Sequence, residues 1–252
     1  MTEFTGPPDF AALPADVRRT HLTEIGRTGD FAYDHAIPIV IARPAHAGDR
    51  ASLRSASGFV AQIKGRFFLG TADHVWRAFL DRVANSEDVI FQAGSLRITP
   101  DRPNVYRDPD RDIVFIPISE GEARRSARLV SSSPRGWPPP RPPEGSYVVF
   151  SGCPEVMRDH VNDSRLEFGS FSSIMRVTSA RDEHIVCQFE REIWISDYRK
   201  VPPPGMNLSG MSGGPVFSLA DSLSIPLIGL IYEFSADLEL LYIRTFANAH
   251  LP

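Results

Sequence analysis

Short runs rich in Val, Ile and Phe, each bounded by turn residues, constrain this chain more than any other feature. Five stand at 37–42, 58–63, 66–70, 88–92 and 112–118, and six more at 147–151, 171–177, 184–189, 215–217, 227–234 and 240–246. β-Branched and aromatic side chains suit a pleated, half-buried surface, so such runs read as antiparallel strands. Helical patterns between them are too few for a parallel α/β sheet, and no repeat of solenoid length is visible. Between the two groups lies the segment 131–145, whose six prolines exclude helix and central strand. The expected organisation is an N-terminal extension at 1–35, a first β-barrel at 36–130, a stiff connector at 131–145 and a second β-barrel at 146–252. Within the extension, 15–25 fits a helical stripe loosely through Val17, Leu22 and Ile25. A second short helix is predicted to begin at Asp73, read as its N-cap, and to carry His74, Trp76, Phe79 and Leu80.

With 252 residues and 42% hydrophobic content the chain can bury a sizeable core. Its net charge is −4 and its Lys and Arg residues are dispersed, so neither a nucleic-acid partner nor a membrane surface is expected. Cys153 and Cys187 are the two cysteines; they lack metal-ligand spacing and read as buried thiols rather than a secreted disulfide framework. No basic leader or long apolar run is visible, so a cytoplasmic location is expected, with a protein or small-molecule partner. Only Lys64 and Lys200 among the 27 basic side chains are lysine, a bias typical of GC-rich bacterial coding.

Chemistry concentrates in three segments. Gly210-Met211-Ser212-Gly213-Gly214-Pro215 sets a serine among glycines that let the backbone approach a substrate. Thr71-Ala72-Asp73-His74 follows one strand-like run, and Asp112 heads another, Ile113-Val114-Phe115-Ile116. A serine hydroxyl is a poor nucleophile at neutral pH and needs an imidazole to take its proton; the imidazole needs a buried carboxylate to fix its tautomer. His74, Asp112 and Ser212 supply those groups, and the Gly210 and Ser212 amides can converge on a developing oxyanion. Asp108 and Asp110 lie in a turn-like stretch and read as solvated turn acids. Gly210 to Gly214 also satisfies the Gly-x-Ser-x-Gly elbow of α/β-hydrolases, but that elbow needs a following helix and a downstream base. Here a strand-like Pro215-Val216-Phe217 follows, and the only downstream histidine is His250.

With these blocks in view the chain resembles the chymotrypsin-like, trypsin-fold serine peptidases, nearest the bacterial intracellular, high-temperature-requirement type. Thr71 to His74 looks like the family's Thr-Ala-Ala-His block, Asp112 to Val114 like Asp-Ile-Ala, and Gly210 to Pro215 like Gly-Asp-Ser-Gly-Gly-Pro. The order His, Asp, Ser is that of the chymotrypsin-type triad. The resemblance implies two antiparallel six-stranded barrels and a serine endopeptidase working through an acyl-enzyme, with His74 as base, Asp112 as orienting acid, Ser212 as nucleophile and no cofactor or metal. It makes Met206 the floor of the first specificity pocket, and makes Tyr232, Glu233 and Phe234 the strand that pairs with substrate and walls that pocket. An apolar, narrow pocket is implied, because Met206 carries no charge and Phe234 stands where open-pocket members have glycine. Met211 replaces the aspartate that pairs with a new N-terminus on zymogen cleavage, so activity is expected to be constitutive or gated by a partner. A regulatory domain of PDZ type does not fit within 252 residues. The alternative is a catalytically silent peptidase-fold binding module.

Overall fold

A computed structural model describes residues 15–43, 53–126, 129–132, 136–162, 165–188, 208–220 and 224–249. The first strands are β1 (Ala36–Ala42), β2 (Arg54–Ile63), β3 (Arg66–Ala72), β4 (Ile90–Ala93), β5 (Leu96–Ile98), β6 (Tyr106–Asp108), β7 (Ile113–Ile118) and β8 (Ser131–Ser132). The later ones are β9 (Tyr147–Gly152), β10 (Arg158–Asn162), β11 (Arg165–Phe168), β12 (Phe171–Ala180), β13 (His184–Gln188), β14 (Pro215–Ser218), β15 (Leu227–Ser235) and β16 (Leu240–Thr245). Three helices join them: α1 (Ala15–His35), α2 (Asp73–Ala84) and α3 (Glu120–Ser126). None of the described helices is long and apolar enough to cross a membrane.

The fold is all-β with two sheet units, as expected. The later unit is a closed six-stranded barrel, β12-β13-β16-β15-β14-β9. The earlier one has eight strands on an open path, β5-β4-β1-β2-β3-β7-β6 with β8 beside β2, and forms a half-barrel. Its β2 is buried from Ala56 to Ala61 on both faces. One physical reason covers both facts: the open unit closes its core against the barrel rather than against itself. Val149, Phe217, Leu227 and Leu230 of the barrel belong to the same apolar core as Ile39, Phe59, Leu69 and Phe115. A second core fills the barrel with Val148, Phe150, Met175, Ile185, Ile231 and Ile243. Each large side chain taken fully out of water stabilises by roughly 1.5–3 kcal/mol, which makes this shared core the main force joining the units.

Aromatic rings fasten the joint. Phe115 of β7 meets Phe246, just past β16, at 5.4 Å between centroids, and Trp137 from the Pro-rich connector lies 5.8 Å from Phe115 and 5.2 Å from Phe246. The connector is therefore packed through Trp137 as well as stiffened by proline.

The helix over the N-terminal extension runs ten residues past the predicted 15–25, to His35. Gly26 and Gly29 weaken the local signal, since glycine costs about 1 kcal/mol in a helix interior. Tertiary packing outweighs them. A Cβ at Gly29 would sit 3.3 Å from Ser172 Oγ of β12, Ala32 is fully buried, and Phe31 packs edge-on to Phe217 at 5.0 Å.

His35 ends α1 buried against the same ring, 4.9 Å from Phe217 and 4.4 Å from Phe31. Its Nδ1–H donates to Phe31 O at 2.7 Å. Burial lowers its pKa below 6.5, opposed by that hydrogen bond and by Asp34. The unfolded chain therefore binds the proton more readily. The stability His35 contributes is complete above its unfolded pKa of 6.5 and is lost as pH falls from there through the lowered folded value. The expected result is a steeper loss of stability between about pH 7 and pH 5 in wild type than in His35→Phe, the difference in slope not exceeding about 1.4 kcal/mol per pH unit. Denaturant midpoints across that range measure it.

Candidate active site

α2 begins where β3 ends, and its N-terminus rests on Asp112. The Asp112 carbonyl accepts from Asp73 N at 3.0 Å, and Asp112 Oδ1 accepts from His74 N at 2.7 Å. One residue from another strand thus satisfies two of the orphan amides of the first helical turn, where the helix dipole also favours its negative charge. The other oxygen, Oδ2, accepts from His74 Nδ1 at 2.7 Å. A carboxylate only accepts, so Nδ1 carries a proton, and in the neutral imidazole this tautomer leaves the lone pair on Nε2. Asp112 is 5% exposed and takes a left-handed backbone at φ 55°, which turns its side chain back under α2 before β7 starts. The His74 side chain is 45% exposed, open to an incoming group.

The predicted capping role of Asp73 is corrected. The N-cap is Ala72, with no side-chain cap bond, and Asp73 is the first residue inside the helix and fully buried. Its carboxylate is held by Arg107 Nε at 2.6 Å, Arg107 Nη2 at 3.0 Å and Arg77 Nε at 3.0 Å. A buried carboxylate is too costly without such partners, so this ion pair belongs to the scaffold under His74. Asp110 is an exposed turn acid, as expected, whereas Asp108 ends β6 half-buried, accepting from Arg111 N at 3.1 Å and pairing with the Arg111 guanidinium.

The Ser212 loop reaches this pair through its backbone. Gly213 has φ +87°, and a Cβ there would run into Ser57 O and Thr71 Oγ1 and lie 3.0 Å from Ala72 N. The serine loop therefore abuts the two residues that lead into Asp73 and His74. Ser212 Oγ donates to Tyr232 O at 3.2 Å, and among the described residues no hydrogen bond joins it to His74. Tyr232 sits at a register shift in the β15–β16 ladder, between Ile231 and Glu233.

The amides around Ser212 are used unequally. Met211 N donates to Leu208 O, Gly213 N to Ile231 O and Gly214 N to Met211 O, at 3.2, 2.8 and 2.9 Å. Gly210 N and Ser212 N have no such acceptor among the described residues. Ser209 O accepts from Glu155 N at 2.7 Å, and because C=O and N–H of a trans peptide point oppositely, the Gly210 N–H faces away from Glu155. Gly210 adopts φ +93° against Cys153 and Glu155, where a side chain would be strained and crowded.

No protein-family model and no curated protein matches this chain. Among solved structures it is similar to the protease Anisep from Arthrobacter nicotinovorans, at 14% identity over 85% of this chain and 91% of that one, with TM-score 0.47. It is similar to a Glu endopeptidase at 11% identity, 86% of each chain and TM-score 0.47. An inactivated protease paralogue of the scabies mite gives 16% identity, 87% and 91% coverage and TM-score 0.45. At these identities and scores the likeness transfers no residue's role; the roles have to come from the geometry.

Met206 lies outside the described residues. Tyr232 and Phe234 are half-buried: Arg244 stacks over the Tyr232 ring at 4.4 Å, and Phe234 packs on the barrel core. Glu233 is exposed. Met211 is buried in that same core at 1% exposure, beside Gly152, so the position is apolar by packing as well as by sequence. Both cysteines are buried free thiols, and burial pushes each thiol up to about 12. Neither is a nucleophile at neutral pH. Among the described residues no group of three or more His, Cys, Asp or Glu is placed to hold a metal ion. Sequence reasoning missed Ser57, a fully buried serine on β2 at the centre of the contacts between the two units. The local signal was slight, since Ser57 follows Ser55 and Ala56 and stands just before the run 58–63.

Proposed function

We propose that the chain is a serine endopeptidase in which Ser212 is the nucleophile, His74 the base and Asp112 the orienting acid. The observation that carries this reading is the Asp112–His74 pair, with Nδ1 protonated, beside a serine loop in which the Gly210 and Ser212 amides have no backbone acceptor among the described residues. Ser212 Oγ would attack the peptide carbonyl carbon while its proton passes to His74 Nε2. Gly210 N–H and Ser212 N–H would donate hydrogen bonds to the oxyanion. Collapse breaks the C–N bond, and His74 returns the proton to the amine. Water then attacks the acyl ester, giving a proton to His74 and on to Ser212 as the acid leaves.

Each oxyanion donor is worth about 3–4 kcal/mol of transition-state stabilisation. A bacterial, cytoplasmic peptidase of the high-temperature-requirement type, its substrates presented or its activity triggered by a protein partner, belongs to the same reading. It draws support from the Arg-for-Lys bias and the free cysteines. With Met206 as an uncharged pocket floor, the favoured substrate residue before the scissile bond is apolar; profiling on a peptide library should show little cleavage after Arg or Lys, and efficient cleavage there would contradict it.

One observation favours a second reading, a latent enzyme or a silent binding module: the Ser212 hydroxyl rests on Tyr232 O rather than on His74. Fluorophosphonate labelling separates the two. Stoichiometric adduct at Ser212, dependent on His74, supports the peptidase; absence of label in the isolated protein and in cell extract supports the module.

A further inference from the structure

Ser57 stands where the two sheet units meet, and all of its polar groups are engaged there. Its N–H donates to Ser212 O at 2.9 Å and its Oγ–H donates to Gly210 O at 2.7 Å. In return Ser57 Oγ accepts from Cys153 N at 2.8 Å and Ser57 O accepts from Thr71 Oγ1 at 2.7 Å. A hydroxyl has one proton and a carbonyl can only accept, so the direction of each bond is fixed. The side chain is fully buried, in a setting where an unpaired polar group is costly and a satisfied one specifies a single arrangement.

From this we infer that Ser57 is the positioning residue that holds the Gly210–Ser212 segment in the shape that presents the Gly210 and Ser212 amides. The inference rests on the peptidase reading only for its catalytic consequence. Ser57 bonds the carbonyls of Gly210 and Ser212 and so fixes the Gly210–Met211 and Ser212–Gly213 peptide planes, while the Met211–Ser212 plane between them is held by Gly214 N on Met211 O. The Ser209–Gly210 peptide is fixed separately by Glu155 N. The Ser57 bonds originate on β2, which pairs with β3, the strand leading through Thr71 and Ala72 to His74. The base and the oxyanion site are thereby referred to one strand pair, although they belong to different units. With Met211 buried in the barrel core, no carboxylate next to Ser212 is available to hold this loop through an ion pair. The buried Ser57 hydroxyl and amide hold it by hydrogen bonds instead.

The test compares wild type, Ser57→Ala and Ser57→Thr, which keeps the hydroxyl. Amide exchange followed by mass spectrometry reads the loop whatever the catalytic status. In Ser57→Ala, exchange at Cys153 and across 208–214 should rise about tenfold or more against an unchanged background elsewhere. Fluorophosphonate labelling and hydrolysis of an activated ester read the chemistry. The kcat of Ser57→Ala should fall about tenfold or more with KM nearly constant, short of the roughly 10²–10³-fold that follows outright loss of an oxyanion donor. Ser57→Thr should recover most of both. If Ser57→Ala does not fold, Ser57→Cys preserves the volume with a much weaker donor and is put through the same comparison. Unchanged exchange at 208–214, or a kcat within twofold of wild type while the fold is intact, overturns the inference. Failure of wild type itself to label would remove the peptidase reading, and the exchange comparison would still decide whether Ser57 holds the loop.

Discussion

Ser212→Ala is expected to lower turnover about a million-fold, to the level left by binding and the oxyanion amides alone. The size follows from the chemistry: with no hydroxyl there is no acyl-enzyme, and water would have to attack without the covalent intermediate that splits the reaction in two. Stability should hardly change, because the lost bond is the 3.2 Å contact to Tyr232 O on a partly exposed side chain. Burst-phase kinetics on an activated ester, with fluorophosphonate adduct mapping, check it. Residual turnover near wild type would move the nucleophile elsewhere, yet Cys153 and Cys187 are buried with thiols held near 12 and are poor substitutes.

Asp112→Asn is expected to cost about 10⁴-fold in kcat, the scale on which a neutral amide replaces the orienting carboxylate of such a triad. The argument is one of tautomers. Asp112 accepts twice, from His74 N and from His74 Nδ1, both at 2.7 Å. An asparagine has one accepting oxygen and one donating nitrogen, so it cannot serve both amine-type donors. If its oxygen keeps the backbone N–H, its NH₂ faces Nδ1 and forces the proton to Nε2, where the base is needed. Capping of α2 survives in that arrangement, and the melting temperature should drop far less than with Asp112→Ala, which also removes the cap at a cost of about 1 kcal/mol. The signature is a large loss of kcat near neutral pH, partly relieved at high pH, with a nearly native thermal transition. A rate within tenfold of wild type would remove Asp112 from the mechanism.

Those two residues, with His74, stand out as candidates in the sequence because their motifs are local. A glycine-framed serine, a histidine at a strand end and an aspartate heading an apolar strand each declare themselves within six residues. Strand existence was legible for the same reason: runs such as 37–42 and 240–246 alternate buried and half-buried side chains as β1 and β16 do. Local rules failed where a distant surface decides the outcome. α1 extends through two glycines because the barrel receives its last turns, and Asp73 is an ion-pair partner rather than a cap because Arg107 comes to it from β6. The half-barrel is open because its core is completed by Val149, Phe217 and Leu230 of the other unit, a closure that no strand pattern encodes.

The sequence by itself determined an all-β chain in two units and the order of the histidine, aspartate and serine motifs, since side-chain period and residue type are properties of short segments. Tertiary structure alone decided that Asp112 both caps α2 and holds His74, and that the Ser212 hydroxyl rests on Tyr232 O. It also decided that Ser57 bonds the carbonyls of Gly210 and Ser212. Each of these is a hydrogen bond between segments far apart in the chain, and the direction of such a bond exists only once packing has brought its two ends together.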